Sequence, residues 1–441
     1  MNYQRLWPVD EKIKLKNSPL GDRNMAEVLN IQHQIRNFGQ KTKGDKVIWA
    51  LVILLVLVSL LVVYSATGSL AYKLYRGNTE VYLFKQIAFI TIGMAVIYFA
   101  HRVNYTIWSK VAYFLFLISI PLLIYTLFFG VRMNEGSRWI RLPIINMTLQ
   151  TSDLAKLALF MYISRQISKR QNVIKDFKQG YLPLIIPVGI ICALIAPANL
   201  STALLLGASC LLLFFIGRAN TKHLLITLGI ACIPIVMLII AAVVSHNSGS
   251  DELASPRKSS SGLLVRVDTW INRVEGFIYG SRQSIDDDAY QITQAKIAIA
   301  KGGVVGVGPG NSTQRDFLPQ AYNDFIYPII IEEYGLTGGA FILFIYLVFL
   351  WRSIRIFKRC PYAFGAFLAL GLSFTLVIQA VANMAVSVNL FPVTGVTLPL
   401  ISMGGSSFLF TCFAIGIILS VARNVEKLES PSNPSASGGE A

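Results

Sequence analysis

VIWALVILLVLVSLLVVYSATGSL, Val47 to Leu70, contains no aspartate, glutamate, lysine or arginine from end to end. A helix needs about 20 apolar residues to cross the hydrocarbon core of a bilayer. An ordinary soluble domain has no place for a run of that length, so this stretch makes the chain a membrane protein. Further apolar runs cover Leu83–Ala100, Trp108–Gly130, Ser152–Ile167, Tyr181–Ala196, Ser201–Ile216, His223–Val244, Phe325–Trp351, Tyr362–Val386 and Leu398–Val421. A lipid-exposed backbone must satisfy its own hydrogen bonds, so each run is read as a helix. The predicted fold class is an all-α integral membrane protein of about ten transmembrane helices.

The composition agrees. Of 441 residues 54% are hydrophobic and only 14% charged, outside the range of soluble globular proteins. The formal net charge of +16 does not point to nucleic acid, because no aromatic-basic pattern accompanies it. The cations gather instead in short segments between apolar runs: Arg165 to Lys178, Arg218 and Lys222, Arg352 to Arg359, Arg423 and Lys427, and the segment before Val47. Alternate short loops are poor in them. By the positive-inside rule both termini are cytoplasmic, and the long polar segment 245–324, between helices seven and eight, faces outward.

The expected organisation is a cytoplasmic tail over 1–45, a ten-helix membrane domain over 46–424, and a disorder-prone cytoplasmic tail over 425–441. A short helix is expected around Met25–Phe38. The first apolar run starts too late for a cleavable signal peptide. The five cysteines, Cys192, Cys210, Cys232, Cys360 and Cys412, have neither metal-site nor disulfide spacing and read as packing residues.

Polar groups at the membrane boundary are the candidates for chemistry. Asp153 and Lys156 are three apart at the start of span four and share a helix face. They read either as an ion pair that fixes packing or as a carboxylate orienting a cation toward an anionic substrate, with Arg138 in the preceding loop as a second cation. PANLST, Pro197 to Thr202, reads as a structural turn. In the long segment, Arg266 and Arg273 precede Arg282 and Asp286–Asp288, and of these Arg282 and the three aspartates read as a solvated surface. From Tyr290, QITQAKIAIA reads as an amphipathic helix with Gln291, Gln294 and Lys301 on its polar side. GGVVGVGPG, Gly302 to Gly310, permits unusual backbone and close approach of a ligand, but lacks the lysine of a phosphate-binding loop. Asp324 stands where the polar segment enters span eight, and taken alone it reads as a helix N-cap. Glu332 and Glu333 lie two turns deeper. LFPVTGVTLPLISMGGSSFL, Leu390 to Leu409, is broken by prolines and glycines and is expected to line a cavity, with Ser402, Gly404 and Gly405 near substrate.

Together these residues resemble the SEDS family (shape, elongation, division and sporulation). The matching motifs are RWI at Arg138–Ile140, QTSDLAK at Gln150–Lys156, and YQ-xx-Q followed by AIAKGG-xx-G-x-G-x-G-x-S from Tyr290 to Ser312. LP-xxxx-DFI at Leu318–Ile326, EE-x-G at Glu332–Gly335 and FPVTG-xx-LP-x-IS-x-GGSS at Phe391–Ser407 follow in order. The departures are Thr151 and Asp153 for a usual proline and glutamate, Asn199 for an aspartate, Tyr322 for a histidine and Met403 for a tyrosine.

The resemblance implies a peptidoglycan glycosyltransferase of the inner membrane that polymerises lipid II, the undecaprenyl-diphosphate-linked disaccharide pentapeptide. It places the family's essential aspartate on Asp324 as general base. Arg138, Lys156, Asp153, Gln291, Lys301, Ser402, Gly404 and Gly405 are the expected substrate contacts, and a divalent cation, Mg or Mn, is an expected cofactor. A class B penicillin-binding protein and other division proteins are the expected partners. The long polar N-terminus favours the division branch over the elongation branch. Two other expectations stand beside the polymerase: a lipid II flippase, and a non-catalytic scaffold for the penicillin-binding protein.

Overall fold

A computed structural model of the chain describes residues 44–68, 80–133, 136–141, 148–248, 262–279, 287–319 and 321–429. The expected tail helix at Met25–Phe38, most of the N-terminal tail and residues 430–441 lie outside these.

Twelve α-helices are seen among the described residues. They are α1 (Lys46–Ala66), α2 (Glu80–Arg102), α3 (Tyr105–Phe129), α4 (Thr151–Lys169), α5 (Leu182–Ile195), α6 (Leu200–Ile216), α7 (Thr221–Ser248), α8 (Gly262–Tyr279), α9 (Asp287–Gly302), α10 (Ile326–Arg359), α11 (Ala363–Ser387) and α12 (Ser406–Glu429). Among the described residues eight segments are long and apolar enough to cross a membrane: α1, α2, α3, α5 with the π-helical turn Phe177–Tyr181 before it, α7, α10, α11 and α12. The other two expected spans form as helices. One is α4, which carries Asp153, Lys156 and Arg165; the other is α6, which is 17 residues long.

Short polar side chains start several helices. Asp45 accepts from the amides of Val47 and Ile48 at 3.0 and 3.2 Å, Asn104 from Thr106, and Asn199 from Thr202 at 3.2 Å. These satisfy amides that a helix's first turn leaves without partners. The PANLST turn is thus structural, as its composition suggests.

Lipid tails are as apolar as leucine, so membrane helices associate by close packing rather than by water exclusion. Accordingly α2 and α12 meet through small residues. A Cβ on Gly416 would lie 2.6 Å from the Ala100 Cβ, and one on Gly93 would lie 2.5 Å from the Phe408 ring. The bundle centre is α11 and α12, whose apolar windows are 67% and 72% buried, whereas that of α7 is 6% buried. Polar groups on α11 therefore sit in the middle of the protein. At one end of the bundle ionic contacts tie the helices together. Arg352 donates to Asp45 at 2.9 Å, Gly44 to Glu426 at 2.7 Å and Arg423 to the Arg102 carbonyl at 2.9 Å.

Four features differ from the sequence reading. A small antiparallel sheet, β1 (Val131–Met133), β2 (Gly136–Arg141) and β3 (Thr148–Gln150), joins α3 to α4, with Trp139 opposite Gln150. Helix α8 forms within the long polar segment. Residues 398–405, expected to open the tenth span, are not helical, because Leu400 and Gly405 take positive φ of 64° and 51°. Finally, α12 runs through Glu429, past residue 424.

Candidate active site

The glycine-rich turn after α9 grips α10 mainly through backbone hydrogen bonds. Gly335 has φ 71° and ψ −176°, so the helical ladder of α10 breaks there. The break frees carbonyls before it and amides after it, and the turn uses both. Val307 and Gly308 donate to the carbonyls of Glu332 and Glu333 at 2.9 and 3.0 Å, and Leu336 and Thr337 donate to those of Gly303 and Val304 at 2.9 and 3.2 Å. The backbones touch. A Cβ on Gly306 would fall 2.2 Å from the Glu333 carbonyl oxygen, and one on Gly335 would fall 2.1 Å from that of Val304. The close approach expected of a ligand is made by the chain itself, and Gly306 and Gly335 are required for it.

That grip buries both glutamates. Glu332 is 0% and Glu333 2% exposed. Glu332 accepts from the amides of Thr313 and Gln314 at 3.1 and 3.2 Å and from the Ser312 hydroxyl, and pairs with Lys301 at 3.3 Å. Glu333 accepts from the Ser65 hydroxyl at the end of α1. Arg315 donates to the same Ser65 oxygen at 3.0 Å and to the Gly310 carbonyl at 2.9 Å. Each buried carboxylate is thus met by donors, as burial of charge demands. Lys301, expected to contact substrate, is committed to Glu332 and Thr313.

Asp324 lies in the turn just before α10. Phe325 occupies the N-cap position, without a side-chain cap bond, so the N-cap reading of Asp324 does not hold. Its backbone is held from below. Asn383 of α11 donates to the Asp324 carbonyl and to the Val396 carbonyl, both at 2.7 Å. Ser402 donates to the Asn323 carbonyl at 2.6 Å and accepts from the Leu398 amide at 2.8 Å. The Met403 amide donates to the Tyr322 carbonyl at 3.0 Å. The broken segment 390–405 therefore serves as a clip for residues 322–324. Asp324 itself is half-buried, unlike the two glutamates. Burial, and secondarily the Asp324 charge, push the Tyr322 phenol above its ordinary pKa.

A second polar cluster sits deeper. Lys156 and Asp153 form an ion pair at 2.6 Å, with side chains 13% and 5% exposed. Lys156 also reaches Gln379 at 3.4 Å, and Gln379 donates to the Thr397 carbonyl at 3.0 Å. Lys156 and Gln379 line two neighbouring cavities of about 380 and 270 Å³. Since Asn383 holds Val396 and Gln379 holds Thr397, one strip of chain runs over both clusters. Gln379 and Asn383 were not foreseen; two amides four apart in the apolar span VIQAVANMAV were the available signal.

The remaining candidates divide. Arg138 lies on β2, and its side chain is outside the described residues. Gln291 is on α9, half-buried. Gly404 and Gly405 lead into α12, where the Gly404 carbonyl accepts from Ser407 at 3.0 Å. Among the described residues no three His, Cys, Asp or Glu side chains converge as a metal site.

Fold and site together define a multi-pass membrane protein whose polar clusters form where its helices break. A family model described as a cell cycle protein, covering FtsW, RodA and SpoVE, matches residues 45–427, and the chain belongs to that family. The probable peptidoglycan glycosyltransferase FtsW of Trichlorobacter lovleyi is 32% identical over 387 residues, 87% of this chain and 94% of the relative. Stage V sporulation protein E of Bacillus subtilis is 31% identical over 389 residues, 87% of this chain and 98% of that one. Among solved structures, a chain from a study of polymerization and crosslinking by a peptidoglycan synthase complex matches with a TM-score of 0.65 at 22% identity, over 87% of this chain and 98% of that one. The rod shape determining protein RodA of Thermus thermophilus matches at 0.59 and 20% identity, over 86% and 97%. At these identities the two structures establish the shared fold.

Proposed function

We propose that the protein is a peptidoglycan glycosyltransferase that polymerises lipid II at the outer face of the inner membrane, with Asp324 as general base. The relatives named as glycosyltransferases, aligned over most of both chains, support the activity. The observation that carries the role of Asp324 is a contrast in burial. Glu332 and Glu333 are sealed among their own donors, while Asp324 is half-buried on a clipped backbone at the membrane boundary.

In this reading the acceptor's sugar hydroxyl gives its proton to the Asp324 carboxylate as its oxygen attacks the anomeric carbon of the donor. The bond to the lipid diphosphate breaks and the diphosphate leaves with the electron pair. Proton removal of this kind contributes about 10²–10⁴-fold. The leaving group needs its charge met, and Lys156 and Arg138 are the proposed cations. A single displacement inverts the anomeric configuration. The proposal assigns no protein-held metal site: Glu332 spends its oxygens on protein donors, so a Mg or Mn ion would arrive on the substrate's diphosphate. A class B penicillin-binding protein is the proposed partner, and cell division the proposed setting.

The test is polymerisation of labelled lipid II by purified wild type and Asp324→Ala, with and without EDTA and the partner. Glycan chains of inverted linkage from the wild type only are expected. Polymer made at the normal rate by the variant would rule out the assigned base. Lipid II translocation without polymer would favour the flippase.

A further inference from the structure

The ionic end of the bundle holds a groove that the polymerase reading does not use. It opens between the first turns of α3 and the last turns of α4 and spans about 850 Å³, open on its outer side. Lys110 stands on one wall and Arg165 and Lys169 on the other; Tyr113, Phe114 and Tyr162 continue the lining along α3 and α4. No acidic side chain lines it among the described residues. That is unusual for this end, where Arg352 is paired with Asp45 and Arg359 with Glu429. Lys110, Arg165 and Lys169 form no such pair within the described chain. Arg170, bonded to Gln166 of the same wall, brings a fourth positive charge to the rim.

The apolar part of the groove faces outward. Tyr113 is 50% and Phe114 65% exposed on a helix long and apolar enough to span the bilayer. A ligand filling the groove must therefore be anionic at one end and apolar along the other, and must lie in the plane of the lipids. The α4 C-terminus also carries the negative end of its helix dipole, which keeps the cations in place.

We infer that this groove is a binding site for an anionic glycerophospholipid. The phosphate rests among Lys110, Arg165 and Lys169, and an acyl chain runs along Tyr113 and Phe114. Basic pockets between spans on the cytoplasmic side take such headgroups, and the run of cations from Arg165 to Lys178 assigns this end to the cytoplasm.

The full-length protein in nanodiscs of equal phosphatidylglycerol and phosphatidylcholine tests this. Native mass spectrometry of the released protein reads the lipids that stay bound. Wild type should retain phosphatidylglycerol preferentially, and K110Q/R165Q/K169Q should lose that preference, about fivefold for each cation removed. The control K175Q/K178Q, on the neighbouring loop, should retain it. If the triple variant does not fold, the pair Arg165→Gln and Arg165→Lys decides: only the glutamine variant should weaken retention. Equal retention of both lipids by wild type, undiminished preference in the triple variant, equal behaviour of the Arg165 pair, or displacement of the lipid by inorganic phosphate would each overturn the assignment.

Discussion

Asn383 holds the backbone carbonyl of Asp324 at 2.7 Å, and does so from the buried centre of α11. The same amide nitrogen holds Val396, so one side chain ties the carboxylate's turn to the broken segment beside it. Removing the amide leaves the buried Val396 carbonyl and the half-buried Asp324 turn without that donor, at about 1–3 kcal/mol, and frees the turn to shift. A displacement near 1 Å at a catalytic group can cost about 10²-fold. Asn383→Ala should therefore lower the polymerisation rate by about 10–100-fold, with only a modest fall in the thermal midpoint in detergent. A normal rate in a folded N383A protein would show that the clip does not position Asp324.

The glycines of the turn separate two effects that sequence alone merges. Gly306 and Gly310 both have positive φ, 92° and 76°, but only Gly306 has backbone within 4 Å of its would-be Cβ. Gly310→Ala should cost about 1 kcal/mol of backbone strain. Gly306→Ala adds an overlap with the Glu333 carbonyl that no rotamer relieves, and should prevent folding or destabilise by more than about 4 kcal/mol. Thermal unfolding of the two variants side by side checks this. Equal shifts would mean that the turn does not dock on α10 as seen.

Glu332 and Lys301 form an unequal pair. Glu332 is fully buried and has four partners, while the Lys301 side chain is 37% exposed. Truncating the lysine leaves the carboxylate with its serine, threonine and backbone donors; truncating the glutamate leaves those donors buried and unmet. Glu332→Ala should cost about 3–5 kcal/mol and Lys301→Ala about 1 kcal/mol or less. A larger loss for the lysine variant would mean that Lys301 carries more of the pair's stability than its exposure implies.

The phenol of Tyr322 offers a pH test. Its folded-state pKa is raised by burial and then by Asp324, so folding favours the neutral form. That contribution is fully present below the unfolded value near 10 and is lost as pH rises through the higher folded value. Tyr322 should stay protonated across the neutral range. Neutralising its neighbour with Asp324→Asn should lower the Tyr322 pKa, read as the phenolate absorbance lost on Tyr322→Phe in each background. An unchanged or higher value in the asparagine protein would place the two side chains farther apart than they stand here.

Much of this arrangement was readable beforehand, and the rest fails for identifiable reasons. Apolar run length gave the helices, and a spacing of three gave the Asp153–Lys156 pair, because both are local rules. Helix α8 was missed, although Leu263, Val267, Trp270, Val274 and Ile278 recur at helical spacing, because the charged residues between them make the segment read as a solvated loop. The small sheet was not legible, because three-residue strands carry no alternation to read. Nor was the purpose of the glycines. A glycine permits close approach, but only the fold says that a carbonyl of the same chain makes it. Asn383 and Ser402 act on backbone atoms that are distant in sequence, and no pattern of side chains records such a bond.

Asp153 and Lys156 leave packing and chemistry to be separated. Removing one member of a buried ion pair strands the other charge, at about 3–5 kcal/mol, whereas replacing both with groups of similar volume can be close to neutral. Lys156→Met should therefore destabilise the protein, and Asp153→Asn combined with Lys156→Met should recover much of that stability. If the pair only fixes helix packing, polymerisation returns with stability. If Lys156 meets the substrate's diphosphate, the double variant melts near the wild-type temperature and still makes little polymer, because the cation beside the cavity of about 380 Å³ is gone. The second outcome is expected: Lys156 keeps 13% of its side chain exposed while Asp153 keeps 5%, so of the two the cation is the one open to an incoming anion. A stable double variant with full activity would assign the pair to packing alone.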